Sequence, residues 1–116
     1  MITAILYSTV SLEASCGNEL DFVKQIVEMC CDQMDELTKQ IQHSAETENW
    51  ADVYFNAHKL KASIGLLEIV SLKDDIKTLT DNARHLTNTN EILPQAKSVA
   101  RVIEECIKQM KKDYFL

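Results

Sequence analysis

The stretch VKQIVEMCCDQMDELTKQI, residues 23–41, decides the fold of this chain. Its apolar side chains recur at alternating steps of four and three residues, at Val23, Val27, Cys30, Met34, Leu37 and Ile41. An α-helix completes a turn about every 3.6 residues, so this spacing gathers the apolar side chains along one side of a helix. The pattern predicts a long amphipathic helix that begins near residue 18 or 19 and fades in the polar run 45–48.

The same periodicity predicts further helices on both sides of this one. Residues 8–15 are expected to form a short leading helix, and Asn49 is a suitable N-cap for the helix that follows the long one. After a break at 67–70, Ser71 opens a variant of the capping box, and Pro94 suits the first turn of the last helix. The apolar stripes of these three later helices are Trp50, Val53, Tyr54, Ala57, Leu60 and Ile64; Leu72, Ile76, Leu79, Ala83 and Leu86; and Ala96, Ala100, Ile103, Ile107 and Met110.

Composition and connection lengths set the fold class. The chain has 116 residues, of which 46% are hydrophobic, and it contains two glycines and one proline. A β-sandwich or barrel needs a breaker at each turn, and a phosphate-binding loop needs clustered glycines, so both are excluded. Short connections imply antiparallel neighbours. We therefore predict one all-α domain over residues 1–116, an antiparallel up-down-up-down four-helix bundle with a short N-terminal helix.

Charge is distributed unevenly along the chain. The net charge is −6; residues 1–50 contain nine acidic and two basic residues, whereas residues 51–116 contain nine acidic and ten basic residues. A nucleic-acid-binding domain normally carries a basic stripe, so nucleic acid is not an expected partner. No segment has the pattern of a signal peptide or the length of a membrane span. We expect a soluble, cytoplasmic protein that does not insert into membranes.

The cysteines do not form a recognisable metal or redox motif. Cys16, Cys30, Cys31 and Cys106 contain no Cys-x-x-Cys pair, so reduced core thiols are expected. A zinc finger needs a second Cys or His pair at the correct spacing, and di-iron bundles need Glu-x-x-His on two helices. Both patterns are missing from the sequence. We expect neither a metal site nor a bound cofactor.

The three histidines are the remaining candidates for chemistry. His43 lies off the apolar seam near the end of its helix and is expected to be solvated. His85 lies in the last turn of its helix, where the helix dipole stabilises an imidazolium. His58 lies about 90° to one side of its helix's apolar stripe, at the border of the exposed face. Its surroundings therefore decide whether it can react.

Small side chains follow His58 along its own helix. Ala62 lies four residues after it and Gly65 lies seven residues after it, so a flat partner surface can approach the imidazole. Lys61, three residues after His58, can bring its ammonium close to the same ring. An anion held on His58 would lie in the least acidic part of an acidic protein.

The next helix is expected to contribute two residues to this flank. With the turn centred at 67–70, the residue level with His58 on an antiparallel neighbour is about residue 80. Thr80 and Arg84, one turn apart, are then predicted to flank the imidazole. On the residues alone, the alternative of an ordinary boundary histidine beside surface lysines stays open.

The residues around His58 also resemble a known family. The heptapeptide Ala57-His58-Lys59-Leu60-Lys61-Ala62-Ser63 is similar to the signature A-H-x-L-K-G-S of histidine-phosphotransfer (HPt) domains. Residues 18–23 and 49–50 resemble the start of the family's long second helix and the approach to its active helix, and residues 71–84 resemble its fourth helix. The likeness covers nearly the whole chain.

Three positions depart from the family pattern. Ala62 stands where the family usually has glycine, and Glu68 stands where it often has another. Thr80 stands where a glutamine is sometimes found, beside an arginine that would correspond to Arg84. Alanine adds only one methyl group to glycine, so docking of a partner is expected to survive this change.

The resemblance implies a role in two-component signal transduction. His58 would be the phosphoacceptor and Lys61 its charge partner, in a phosphorelay intermediate that has no autonomous kinase activity. The partners would be receiver domains of hybrid sensor kinases and response regulators, with Mg²⁺ and the acceptor aspartate supplied by the receiver. A monomer is expected, because one accessible histidine on a closed bundle needs no second subunit.

Two alternatives to this interpretation remain. The chain could be a helical docking module that binds receiver or kinase domains without carrying phosphate, in which case binding would not depend on His58. It could also be a generic helical adaptor unrelated to signalling, in which case His58 is expected to be buried.

Overall fold

The computed structural model describes residues 6–116, and within this range the chain is helical with no strand. The helices are α1 (Val10–Ser15), α2 (Leu20–Glu46), α3 (Trp50–Leu66), α4 (Lys73–His85) and α5 (Thr89–Asp113), with a 3₁₀ turn at Val70–Leu72. The all-α prediction is confirmed. The leading helix begins at Val10 rather than at residue 8. Residues 1–5 of the predicted domain lie outside the described range.

Four of the helices enclose a common core. α2 packs against α3 and α5, α3 packs against α4, and α4 packs against α5. The predicted seam of α2 is buried along its whole length, from Val23 to Ile41. The apolar stripes of α3, α4 and α5 join this seam in one buried cluster, and Leu60, Leu79 and Ile103 at their centres are fully shielded from solvent. Hydrophobic burial of these stripes holds the bundle together.

Two polar contacts show that α2 and α3 run antiparallel. Near the connection between them, the Ser44 hydroxyl donates to the Asp52 carboxylate. Farther along, the Ser63 hydroxyl donates to Oε1 of Gln33 over 3.2 Å. The residue numbers rise along one helix as they fall along the other, as an antiparallel pair requires. For the remaining pairs, the up-down order stays a prediction that short connections favour.

Most helix ends in this chain use a left-handed residue that is not glycine. α1 ends at Ser15, and the left-handed residue that follows it is Gly17, whose φ is 63°. The corresponding residues after α2, α3, α4 and α5 are Glu48, Glu68, Leu86 and Phe115, with φ of 57°, 47°, 55° and 57°. Each is followed by an amide that donates back to the last helical turn, as in a Schellman motif. Glycine usually occupies this position, because other residues are strained there.

Three local predictions about the helix ends are wrong. Leu86 is 64% exposed, because α4 has already ended and Leu86 is the left-handed residue that reverses the chain. Ser71 does not cap α4; it lies in the 3₁₀ turn that leads directly into the helix, and no side chain caps that end. Pro94 lies inside α5 rather than in its first turn, because the helix begins earlier, at Thr89.

The segment before α1 closes one end of the bundle. The Ser8 amide donates to the Leu67 carbonyl over 2.8 Å, and the Tyr7 hydroxyl donates to the Asp113 carboxylate at the end of α5. Burial and the neighbouring carboxylate raise the pKa of Tyr7. The Tyr114 hydroxyl adds a 2.7 Å contact to Thr9. These bonds tie both ends of the described chain to the same end of the bundle.

Candidate functional site

Polar contacts anchor the start of α3 and so position the site. The Asn49 side chain accepts a hydrogen bond from the Asp52 amide over 3.3 Å, which confirms the predicted N-cap. The Asp52 carboxylate accepts from Ser44 on α2 and, over 3.1 Å, from the buried Asn56 amide. The first turns of α3 are therefore tied to α2 by side-chain bonds as well as by apolar packing.

His58 lies on the solvent side of this anchored helix. Its neighbours Ala57 and Leu60 are fully buried, whereas His58 is exposed. This exposure contradicts the alternative of a generic helical adaptor, for which His58 was expected to be buried. His43 and His85 are exposed as well, so exposure alone does not distinguish the three histidines.

An aromatic neighbour distinguishes His58 from the other two. The ring of Tyr54, one turn earlier on α3, lies 6.0 Å from the imidazole between centroids, with 27° between the two planes. Tyr54 is half-buried and was assigned to the apolar stripe from its spacing. Stacked aromatic rings at this separation attract each other. The contact covers the side of the imidazole that faces the N-terminus of α3.

The opposite side of His58 is open. Ala62 and Gly65, which follow it along α3, are both exposed. A Cβ atom added at Gly65 would meet nothing within 4 Å. No bulky side chain of α3 therefore stands between the imidazole and a partner that approaches from this direction.

Lys61 lies on the flank of α3 that faces α4. It is half-buried, and on α4 the Lys77 ammonium donates to the Asp81 carboxylate over 2.8 Å. This hydrogen bond lowers the pKa of Asp81, and the positive charges of Lys61 and His85 add to the effect. Lys61 thus belongs to a small charged cluster between the helices and forms no ion pair within residues 6–116.

The structure does not bring Thr80 to this surface. Thr80 is buried, with 3% of its surface exposed, and its hydroxyl donates to the Ile76 carbonyl over 2.6 Å. Its hydroxyl is satisfied inside its own helix, so Thr80 presents no exposed polar group to a partner of His58. Arg84 is exposed on α4, one turn farther on. Asp81 was not predicted from the sequence, and it is an α4 residue whose pKa the positive charge of Lys61 helps to lower.

Two features of the site were not predicted, although one had a signal in the sequence. Tyr54 and His58 are four residues apart, a spacing at which helical side chains meet, so their contact could have been found. The charged cluster around Asp81 depends on the register of α3 against α4, which no local pattern reveals.

In the part of the chain that the structure describes, no group of three His, Cys, Asp or Glu side chains could hold a metal ion. None of the helices described is both long and apolar enough to cross a membrane.

A model of the Hpt domain matches residues 25–113, from the first turns of α2 to the end of α5. The chain therefore belongs to the Hpt domain family, as the motif around His58 predicts. Comparisons with curated proteins and with solved structures found no match. Hpt domains are helical bundles that act in histidine phosphotransfer and interact with receiver domains of two-component systems.

Proposed function

We propose that His58 accepts a phosphoryl group from the aspartyl phosphate of one receiver domain and passes it to the aspartate of another. The single observation that carries this proposal is the exposed imidazole on α3 within a chain of the Hpt family. The other two histidines are exposed, but neither lies in the family's motif. The proposal therefore assigns the phosphoacceptor role to His58 alone.

The reaction needs little from this chain besides a nucleophile in the right place. A neutral imidazole nitrogen attacks phosphorus with its lone pair and forms the N–P bond. The P–O bond to the aspartyl carboxylate breaks, and the carboxylate leaves with the electron pair. The proton on the other ring nitrogen is released to solvent, and the reverse sequence delivers the phosphoryl group to the next aspartate. Mg²⁺ and both aspartates belong to the receivers in this proposal.

The neighbours of His58 have distinct tasks in this reaction. The Lys61 ammonium offsets part of the negative charge of the phosphoryl group, which a cation beside the reacting centre does in phosphoryl transfer generally. The Tyr54 ring limits the orientations of the imidazole before the attack. Ala62 leaves room for the receiver to approach, in the place where the family usually has glycine.

Exposed apolar side chains beside the site support docking of a protein partner. Phe55 and Leu66, on the outer side of α3, are 57% and 42% exposed. The Lys59 ammonium covers the Phe55 ring at 4.3 Å from its centroid. Large apolar residues exposed near a reactive group are typical of a surface that binds another protein. They are equally consistent with the second candidate, a docking module that never carries phosphate.

Labelling by a phosphorylated receiver separates the two candidates. His58→Gln is expected to abolish transfer of labelled phosphate, whereas His43→Gln and His85→Gln leave it unchanged. All three replace an exposed histidine, so the two controls account for general effects of the substitution. The label on the native protein is expected to be labile in acid and stable in alkali, as a phosphoramidate is. If His58→Gln is labelled like the native protein, the proposal is wrong; if nothing is labelled but receivers still bind, the docking module is correct.

A further inference from the structure

An open groove of about 750 Å³ lies between α3 and α4. The buried side chains of Ile64 and Ile76 form part of its apolar floor. The lysines on its rim are Lys61 on α3 and Lys73 and Lys77 on α4, and Asp81 lies beside them. Charges beside an apolar surface are screened less than charges in open water. Each charged group of this groove therefore influences the others.

Asp81 is the carboxylate of the groove that can compete for Lys61. Both side chains are half-buried, and the positive charge of Lys61 helps to lower the pKa of Asp81. The other carboxylate that lines the groove, Glu68, lies beyond the end of α3 and accepts a 2.8 Å hydrogen bond from Ser11. An ammonium paired with a carboxylate stabilises a second anion less. Asp81 is therefore the group that can draw Lys61 away from a phosphoryl group on His58.

Lys77 already occupies the Asp81 carboxylate. Its ammonium lies 2.8 Å from Oδ2 of Asp81, which follows it by one turn on α4. This hydrogen bond is the largest cause of both the raised pKa of Lys77 and the lowered pKa of Asp81, so both groups are charged at neutral pH. Asp74 acts on Lys77, and His85 acts on Asp81, in the same directions. Lys61 forms no ion pair within residues 6–116, so its charge is available to another anion.

We propose that Lys77 is a positioning residue for phosphoryl transfer: by holding the Asp81 carboxylate, it keeps the Lys61 ammonium free for the phosphoryl group on His58. Lys77 does not touch that group and acts only through Asp81 and Lys61. Without Lys77, the carboxylate pairs with Lys61 across the groove, and the phosphoryl group loses that part of its charge stabilisation. The inference rests on the proposed function and adds a residue of α4 to its site.

The test is the rate of transfer from a saturating concentration of a phosphorylated receiver that labels native His58. Lys77→Met is expected to slow transfer about fivefold, as loss of Lys61 itself does, with little change in KM. Lys77→Arg keeps a cation beside Asp81 and should transfer at the native rate. Lys73→Met removes the same charge from the same groove, but from a lysine without an ion pair in the described range, and should change the rate less than about twofold.

The fold is expected to tolerate these changes. The Lys77 side chain is 69% exposed, and exposed ion pairs contribute little to stability. The unfolding temperature of Lys77→Met should therefore stay close to that of the native protein.

Two double variants separate the action of Lys77 from its charge. Lys77→Met combined with Asp81→Asn should restore the native rate, because the competing carboxylate is lost together with the lysine. Lys77→Met combined with Lys61→Ala should be no slower than Lys61→Ala alone, because Lys77 acts only through Lys61. Additive slowing in the second variant, or no rescue in the first, would overturn the inference.

The NMR signal of the Lys61 ammonium gives a measurement that does not depend on transfer. Assigned by comparison with Lys61→Ala, it should shift in Lys77→Met and return to its native position when Asp81→Asn is added. Either a native transfer rate or an unmoved Lys61 signal in Lys77→Met overturns the role of Lys77. The proposed function fails by a different result, the labelling of His58→Gln, so the two failures are distinguishable.

Discussion

The rings of Tyr54 and His58 are stacked on α3, with 6.0 Å between their centroids and 27° between their planes. The two residues are one helical turn apart, and the helix that holds them is anchored to α2 through Asp52. The contact therefore restricts the imidazole on one side and leaves the side toward Ala62 and Gly65 open. In the proposed function, this contact limits the directions from which a phosphoryl donor would reach the ring.

Removal of the aromatic ring at position 54 is expected to slow phosphoryl transfer. Tyr54→Leu should reduce the transfer rate roughly threefold to tenfold, which corresponds to the contribution of one aromatic pair. Tyr54→Phe keeps the ring and should restore the native rate. The proton signals of the His58 ring, assigned by comparison with His58→Gln, should shift in Tyr54→Leu but not in Tyr54→Phe. Equal rates and equal signals in both variants would show that the stack does not position the imidazole.

Lys61 is expected to act on the rate and not on the fold. Lys61→Ala should slow transfer by about fivefold, because an ammonium in a site open to water contributes about 1 kcal/mol to the stabilisation of a nearby charge. Circular dichroism and the unfolding temperature should remain close to those of the native protein.

Lys59 provides the matched control for this prediction. It is also a lysine of α3, but it lies over the Phe55 ring. Lys59→Ala should leave the transfer rate nearly unchanged. If both variants slow transfer to the same extent, the effect comes from the general charge of the surface and Lys61 has no special place in the site.

Glycine at position 86 is expected to stabilise the protein. Leu86 has a φ of 55° and a side chain that is 64% exposed, so its strain is not offset by burial. Leu86→Gly should raise the free energy of unfolding by about 1 kcal/mol, measured by chemical denaturation. Leu86→Ala, which keeps the Cβ atom, should bring no such gain. A loss of stability in Leu86→Gly would mean that the leucine side chain makes packing contributions larger than the strain.

The cysteines are expected to differ in their reactivity toward a thiol reagent. Burial raises the pKa of Cys31 and Cys106 to about 11 and also raises that of Cys30, so these thiols hold their protons at neutral pH. The thiolate is the reactive form, and Cys16 is the one cysteine that is not buried. In the native protein, the reagent should therefore modify Cys16 rapidly and the three buried thiols slowly. All four thiols should react rapidly after unfolding. Rapid modification of Cys16→Ser would contradict this assignment.

Helical periodicity predicted most of the fold correctly. The seam from Val23 to Ile41 is buried as expected, and Asn49 caps α3. The errors lie at helix ends, where Ser71 and Leu86 were misplaced. End positions depend on the balance between backbone strain and the path of the following chain. In four of the five helices within residues 6–116, that balance places a residue other than glycine in the left-handed conformation, so the usual sequence signal is missing.

The candidate site was predicted in part. His58, Lys61, Ala62 and Gly65 lie on one helix, and their relative placement follows from residue spacing alone. Thr80 was expected beside the imidazole because residue 80 was judged level with His58 on an antiparallel neighbour, whereas the side of α4 on which it lies was not considered. The structure buries Thr80 and turns Lys77 and Asp81 toward the groove instead.

The sequence by itself determined which segments are helical, which of their faces are buried and which histidine has small neighbours and a lysine along its own helix. These properties are local, because a regular turn converts spacing along the chain directly into position around a helix. Only the tertiary structure decided how α4 lies against α3, and with it the apolar floor and lysine rim of the groove. That register follows from the packing of side chains distant in sequence and from the geometry of the connections, neither of which any single segment contains.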